Sequence, residues 1–113
     1  MIQKHQELKI YKKAEVLLNL IYPSLKNYPQ AEKYSLCKKI KESFINLMRY
    51  ILLANKVKSK RRYYQEEADG HLQVCKILMK LSYDQKYISH KFHKDISLKL
   101  SEIGKMLSDW IKS

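Results

Sequence analysis

Two glycines and two prolines in 113 residues leave this chain few places to turn. A multi-stranded sheet needs a turn every few residues, and glycine and proline supply most of them. The sequence therefore favours a small number of long helices. Hydrophobic residues at 45% beside charged residues at 30% are a globular rather than a disordered composition, and a chain of this length can bury one core but not two. We read residues 1–113 as a single domain.

Four segments carry a helical period. The first runs from about Gln3 to Lys26, with apolar positions Leu8, Tyr11, Val16, Leu17, Leu18, Leu20, Ile21 and Leu25. So wide an apolar face predicts burial on more than one side. Pro23 removes the bond to Asn19 and predicts a kink or an early stop. Asn27-Tyr28-Pro29 is the first break, because a residue before proline avoids the helical region. Pro29 suits the first turn of the second helix. That helix runs to about Lys56 on the line Cys37, Ile40, Phe44, Leu47, Met48, Ile51 and Leu52.

Lys56-Val57-Lys58-Ser59 is the second break, with Ser59 placed to cap the third helix. That helix covers about Lys60–Lys86 on the line Ala68, Leu72, Cys75, Met79 and Ser82, flanked by Val74, Leu78 and Leu81. Gly70 inside it costs about 1 kcal/mol against alanine, which points to close packing or a local bend. Tyr87-Ile88-Ser89 is the third break, with Ser89 as the cap. The fourth helix runs to about Lys112 on the line Phe92, Ile96, Leu100, Ile103, Leu107 and Trp110. The connections are tight, so successive helices are antiparallel neighbours. The expected fold is all-α, an up-down-up-down four-helix bundle.

The longest stretch without charge is Val16–Leu25, ten residues, too short to cross a membrane. The N-terminal segment interleaves lysines with apolar residues and lacks the apolar centre of a signal peptide. The chain reads as cytoplasmic, and Cys37 and Cys75 read as buried reduced thiols.

Twenty-three basic residues against 11 acidic give a net charge of +12. Nine lie between Lys38 and Arg62: Lys38, Lys39, Lys41, Arg49, Lys56, Lys58, Lys60, Arg61 and Arg62, with Glu42 the one acid among them. Tyr63 and Tyr64 follow directly, so cations for phosphates stand beside rings for bases. Lys76, Lys80, Tyr83 and Tyr87 form a second basic face. Lys91, Lys94, Lys105 and Lys112 form a third, shared with Ser101 and Ser108, with Leu98 in its midst. A field this strong on a small body draws polyanions. Lysine outnumbers arginine 20 to 3, which favours backbone contact over base reading. RNA and DNA are the expected ligands.

Catalytic patterns are missing. There is no glycine-rich phosphate loop, no HExxH and no paired CxxC. His5 and His71 stand apart. His90 and His93 are close enough to share a metal, but no carboxylate or cysteine completes the set, and they read as surface histidines. Neither a metal, a cofactor nor an enzymatic activity is expected.

Some segments resemble a known family. Tyr28-Pro29-Gln30-Ala31-Glu32-Lys33-Tyr34-Ser35-Leu36, followed by Lys38-Lys39-Ile40, is similar to the first break and second helix of the accessory variability determinant (Avd-like) proteins of diversity-generating retroelements. Leu72–Asp84 resembles the third helix of that family. Glu102-Ile103-Gly104-Lys105-Met106-Leu107, with Trp110-Ile111-Lys112 after it, resembles the closing motif. The likeness spans about residues 8–113. It implies a bundle that assembles as a cyclic homopentamer and binds nucleic acid and the retroelement's reverse transcriptase. With that enzyme it supports mutagenic copying of a template RNA and retrohoming of the copy; the accessory subunit is not the polymerase. Lys39 stands where the family usually has arginine, and Lys76 and Lys80 match two basic positions. Ser108-Asp109 replaces a glycine pair. These departures leave room for a sister group, the four-helix proteins of ribosomal RNA intervening sequences, which would bind RNA with no reverse transcriptase partner.

Overall fold

A computed structural model describes residues 2–113, with side chains from Lys9 onward. Leu8 and His5 thus lie outside the described side chains. Four helices follow one another: α1 (Ile2–Ser24), α2 (Leu36–Lys56), α3 (Arg61–Asp84) and α4 (His90–Lys112). Each packs on its neighbour in sequence, and α4 closes the ring against α1. The body measures 45 × 25 × 18 Å. Among the described residues no helix is long and apolar enough to cross a membrane.

One line of each helix enters the core, at the steps of three and four that 3.6 residues per turn require. The α3 line is Ala68, Leu72, Cys75, Met79 and Ser82, all fully buried, and Gln65 extends it. The α4 line is Ile96, Leu100, Ile103, Leu107 and Trp110, with Phe92 half-buried at its start. On α2 the line adds Leu36, Ser43 and Ala54, while Leu52 is exposed. On α1, Ile10, Ala14, Leu17, Ile21 and Leu25 are buried. Val16 and Tyr22 face solvent, so the apolar band of α1 is wider than one bundle covers. Cys37 and Cys75 are buried free thiols.

The breaks fall near their expected places but differ in detail. Pro23 occupies the last turn of α1, which stops at Ser24 and tightens into a 3-10 turn at Leu25–Asn27. Tyr28 is extended, as a residue before proline must be. Pro29 does not open α2. It precedes a second 3-10 turn, Gln30–Glu32, and α2 begins only at Leu36. The reason is tertiary: Tyr28 is buried against Tyr87, ring centroids 5.3 Å apart, and the chain must turn around it. Lys33 Nζ holds this corner by donating to the carbonyls of Leu25 (2.8 Å) and Lys26 (2.9 Å).

Ser59 does not cap α3. It lies inside a 3-10 turn, Lys58–Lys60, and α3 starts at Arg61 without a side-chain cap. Arg61 reaches back instead: its Nε donates to Ala54 O (2.9 Å) and its terminal nitrogen to Asn55 O (3.1 Å). These are open carbonyls at the end of α2. Ser89 does cap α4, its Oγ accepting from Phe92 N at 3.0 Å.

At the α3 end, Tyr87 N bonds Ser82 O and Lys86 N bonds Tyr83 O, with Lys86 left-handed at φ 66°. This is a Schellman ending with lysine where glycine is usual. Gly70 is not tight: a Cβ there would meet nothing within 4 Å. The tight glycine is Gly104, where a Cβ would lie 3.1 Å from Leu72 Cδ2.

Candidate nucleic-acid interface

The cations singled out in the sequence do not form one face. At 100° per residue, Lys38, Arg49 and Lys56 fall on one line of α2, directed away from the core. Lys39 lies about 100° to one side, toward α3, and Lys41 to the other, toward α1. Lys38, Lys39, Arg49 and Lys56 are exposed. Lys41 is half-buried with its ammonium 5.1 Å from the centre of the Tyr22 ring. Arg49 donates to Asn46 Oδ1 at 3.1 Å.

The strongest local cluster surrounds the α2–α3 turn. Lys56, Lys58 and Lys60 project into solvent there within five residues, with exposed Tyr63 close behind. Arg61 is turned inward, capping α2 and lying over the Trp110 ring at 5.8 Å. Arg62 is exposed but faces Glu66 at 3.4 Å. Tyr64 is half-buried on Tyr50, which also stacks on His71.

The second basic face is largely engaged within the chain. Lys80 is paired with Asp84 at 2.8 Å, and Lys76 is half-buried. Tyr83 stacks on His93, centroids 4.8 Å apart and nearly parallel, with His90 nearby. Tyr87 lies beyond the end of α3, so it does not share that face. Its hydroxyl donates to Glu32 at 2.9 Å and ties the first connection to the third. Ser35 and Tyr87 hold the Glu32 carboxyl below its usual range, and the same bond raises the Tyr87 phenol. The third face is open: Lys91, Lys94, Lys105 and Lys112 are exposed on α4, and Leu98 stands 62% exposed among them.

Two features went unnoticed in the sequence. One is a cleft of about 390 Å³ at the α1–α2 corner, bounded by Tyr22, Lys26, Lys33, Tyr34 and Lys41. Tyr34 beside it is 88% exposed. The other is an outward apolar row on α3 containing Ile77, which is 66% exposed. Its signal was present in the spacing, since Tyr63, Val74, Ile77 and Leu81 fit a seven-residue repeat. Among the described residues no three His, Cys, Asp or Glu side chains come together as a metal site. Burial pushes the Cys75 thiol up to about 12 and also raises Cys37, so neither is a ready nucleophile.

Comparison with known proteins agrees with this architecture. The model of one family, described as bAvd-like, matches residues 8–113. No curated protein matches the sequence. Among solved structures, a protein of unknown function from the S23 ribosomal protein family of Bacteroides thetaiotaomicron superposes with a TM-score of 0.84. It is 16% identical, and the match covers 96% of this chain and 99% of that one. At that identity the likeness establishes a shared fold.

Proposed function

The chain belongs to the bAvd-like family, and from that premise we propose that it is a nucleic-acid-binding accessory subunit of a diversity-generating retroelement. In this reading it binds the reverse transcriptase together with template RNA or DNA and supports mutagenic copying and retrohoming. It works as a cyclic homopentamer and performs no catalysis itself. The observation that carries the nucleic-acid half is the open cluster of Lys56, Lys58 and Lys60, on a chain of net charge +12. Three ammoniums at one end of a rigid bundle suit a phosphate backbone, and the exposed Tyr63 ring beside them suits an unpaired base.

The test is co-expression with a reverse transcriptase of a diversity-generating retroelement, followed by capture of the complex and titration with single-stranded RNA and DNA at several salt concentrations. Wild type is expected to retain the enzyme. Lys58→Glu/Lys60→Glu should weaken binding and flatten the salt slope by about 1.4, since each single-strand phosphate contact contributes about 0.7. An unchanged slope would remove the turn from the interface. Capture of ribosomal RNA with no reverse transcriptase would favour the sister group instead.

A further inference from the structure

The four exposed residues Tyr63, Val74, Ile77 and Leu81 lie on the side of α3 opposite its core line. They extend over nineteen residues, about 27 Å of helix. Gly70 sits in the same row, exposed, with nothing of its own chain near a Cβ. A glycine in a helix interior is unfavourable, and packing within this chain gives no reason for it. A second apolar row lies along the α1–α2 seam. Ile45 and Leu52, seven residues apart on α2, are both exposed. Tyr22 of α1 joins them through its contact with Lys41, one turn from Ile45.

Charge distinguishes the two rows. Helix α3 holds four basic residues (Arg61, Arg62, Lys76, Lys80) and four acidic ones (Glu66, Glu67, Asp69, Asp84), for no net charge. Helix α2 holds five basic residues and one acidic one, for +4. Copies at +12 repel one another, so contact needs a local match. Pairing α2 with α2 sets cation on cation, and pairing α3 with α3 brings together two helices without net charge, which offers no attraction to offset the repulsion. Setting the α3 row on the α1–α2 seam buries both apolar rows and brings carboxylates toward Lys38 and Arg49.

We infer that the α3 row of one copy docks on the α1–α2 seam of the next, making a heterologous, head-to-tail interface. This rests on the proposed assembly and names its contact. A pair joined in this way still has one row and one seam free, at opposite ends, so the series closes on itself or continues. It also reassigns Lys38 and Arg49, whose charge guides docking between copies, and leaves the α2–α3 turn and the α4 face for nucleic acid.

The test uses Ile45→Cys and Ile77→Cys with a short bismaleimide linker. Cys37 and Cys75 are buried with raised pKa values and stay silent. A mixture of the two variants should give a covalent dimer, and neither variant alone should. Ile77→Lys, at an exposed position, should keep its helical circular dichroism and fall to the 13.6 kDa monomer. Crosslinking of Ile77→Cys by itself would overturn the head-to-tail interface. So would an assembly that survives Ile77→Lys with no dimer from the mixture, and this would leave the proposed assembly standing. A wild-type monomer would overturn both.

Discussion

Gly104 is the position where helix propensity and packing act in opposite directions. A methyl group there would sit 3.1 Å from Leu72 Cδ2, and Leu72 is fully buried between α3 and α4. Alanine is favoured over glycine in a helix by about 1 kcal/mol. Overpacking a filled core costs about 1–3 kcal/mol. With Leu72 held in place by the filled core, Gly104→Ala should therefore lose up to about 2 kcal/mol, the packing cost less the propensity gain. With a melting entropy near 0.24 kcal/mol/K for a chain this long, that is a fall of up to about 8 °C.

Leu72→Val alone should cost about 1 kcal/mol for its lost methylene. In the double variant the clash is gone and the propensity gain returns. The pair should then be more stable than the sum of the single variants by about 1–3 kcal/mol. Urea and thermal unfolding followed by circular dichroism, at one fixed protein concentration because the proposed assembly would also stabilise, would measure the cycle. Additivity within about 0.5 kcal/mol would refute the contact. So would a Gly104→Ala variant more stable than wild type.

Three further outcomes are expected. Lys86→Gly relieves the left-handed backbone at φ 66° and should raise the melting midpoint by about 2–4 °C; a lower midpoint would mean the lysine side chain does more there than its backbone costs. Ser89→Ala should cost about 1 kcal/mol by removing the α4 cap, and Ser89→Asp should keep most of it; equal losses in urea denaturation would count against the cap. Glu32, held below its ordinary value of 4.5 by Ser35 and then Tyr87, contributes stability that is present above about pH 4.5 and lost as pH falls through its folded value. Tyr87→Phe should therefore reduce the difference in urea midpoint between pH 7 and pH 3.5, and an unchanged difference would sever the link.

The lines of α3 and α4 were legible because each residue obeys a local period. Ala68 through Ser82 and Ile96 through Trp110 are buried where a 3.6-residue repeat places them. The connections were less legible because their geometry depends on residues distant in sequence. Pro29 is a good opening residue for a helix, but buried Tyr28 packs on Tyr87 and holds the chain extended. Ser59 is a good cap, but Arg61 reaches back to Ala54 O and tightens the turn first. The same bond takes Arg61 out of the cluster of cations. Charge can be counted from a sequence, but the direction of a guanidinium is decided by the carbonyls within its reach.

The apolar surplus follows similar logic with a different outcome. Val74, Leu78 and Leu81 read in sequence as the margin of one wide core face. In the fold Leu78 is half-buried, while Val74 and Leu81 are exposed. A broad stripe and two separate stripes look alike until the neighbouring helices fix how wide the covered face is. Here α2 and α4 cover the side of α3 that carries Leu72 and Met79, and leave the opposite side bare. Burial within the chain accounts for Leu72 and Met79. It gives no account of Ile77, which would fold as well as lysine. An apolar residue that is exposed in its own fold, in a row with others like it and on the one helix without net charge, is what the proposed contact between copies would cover.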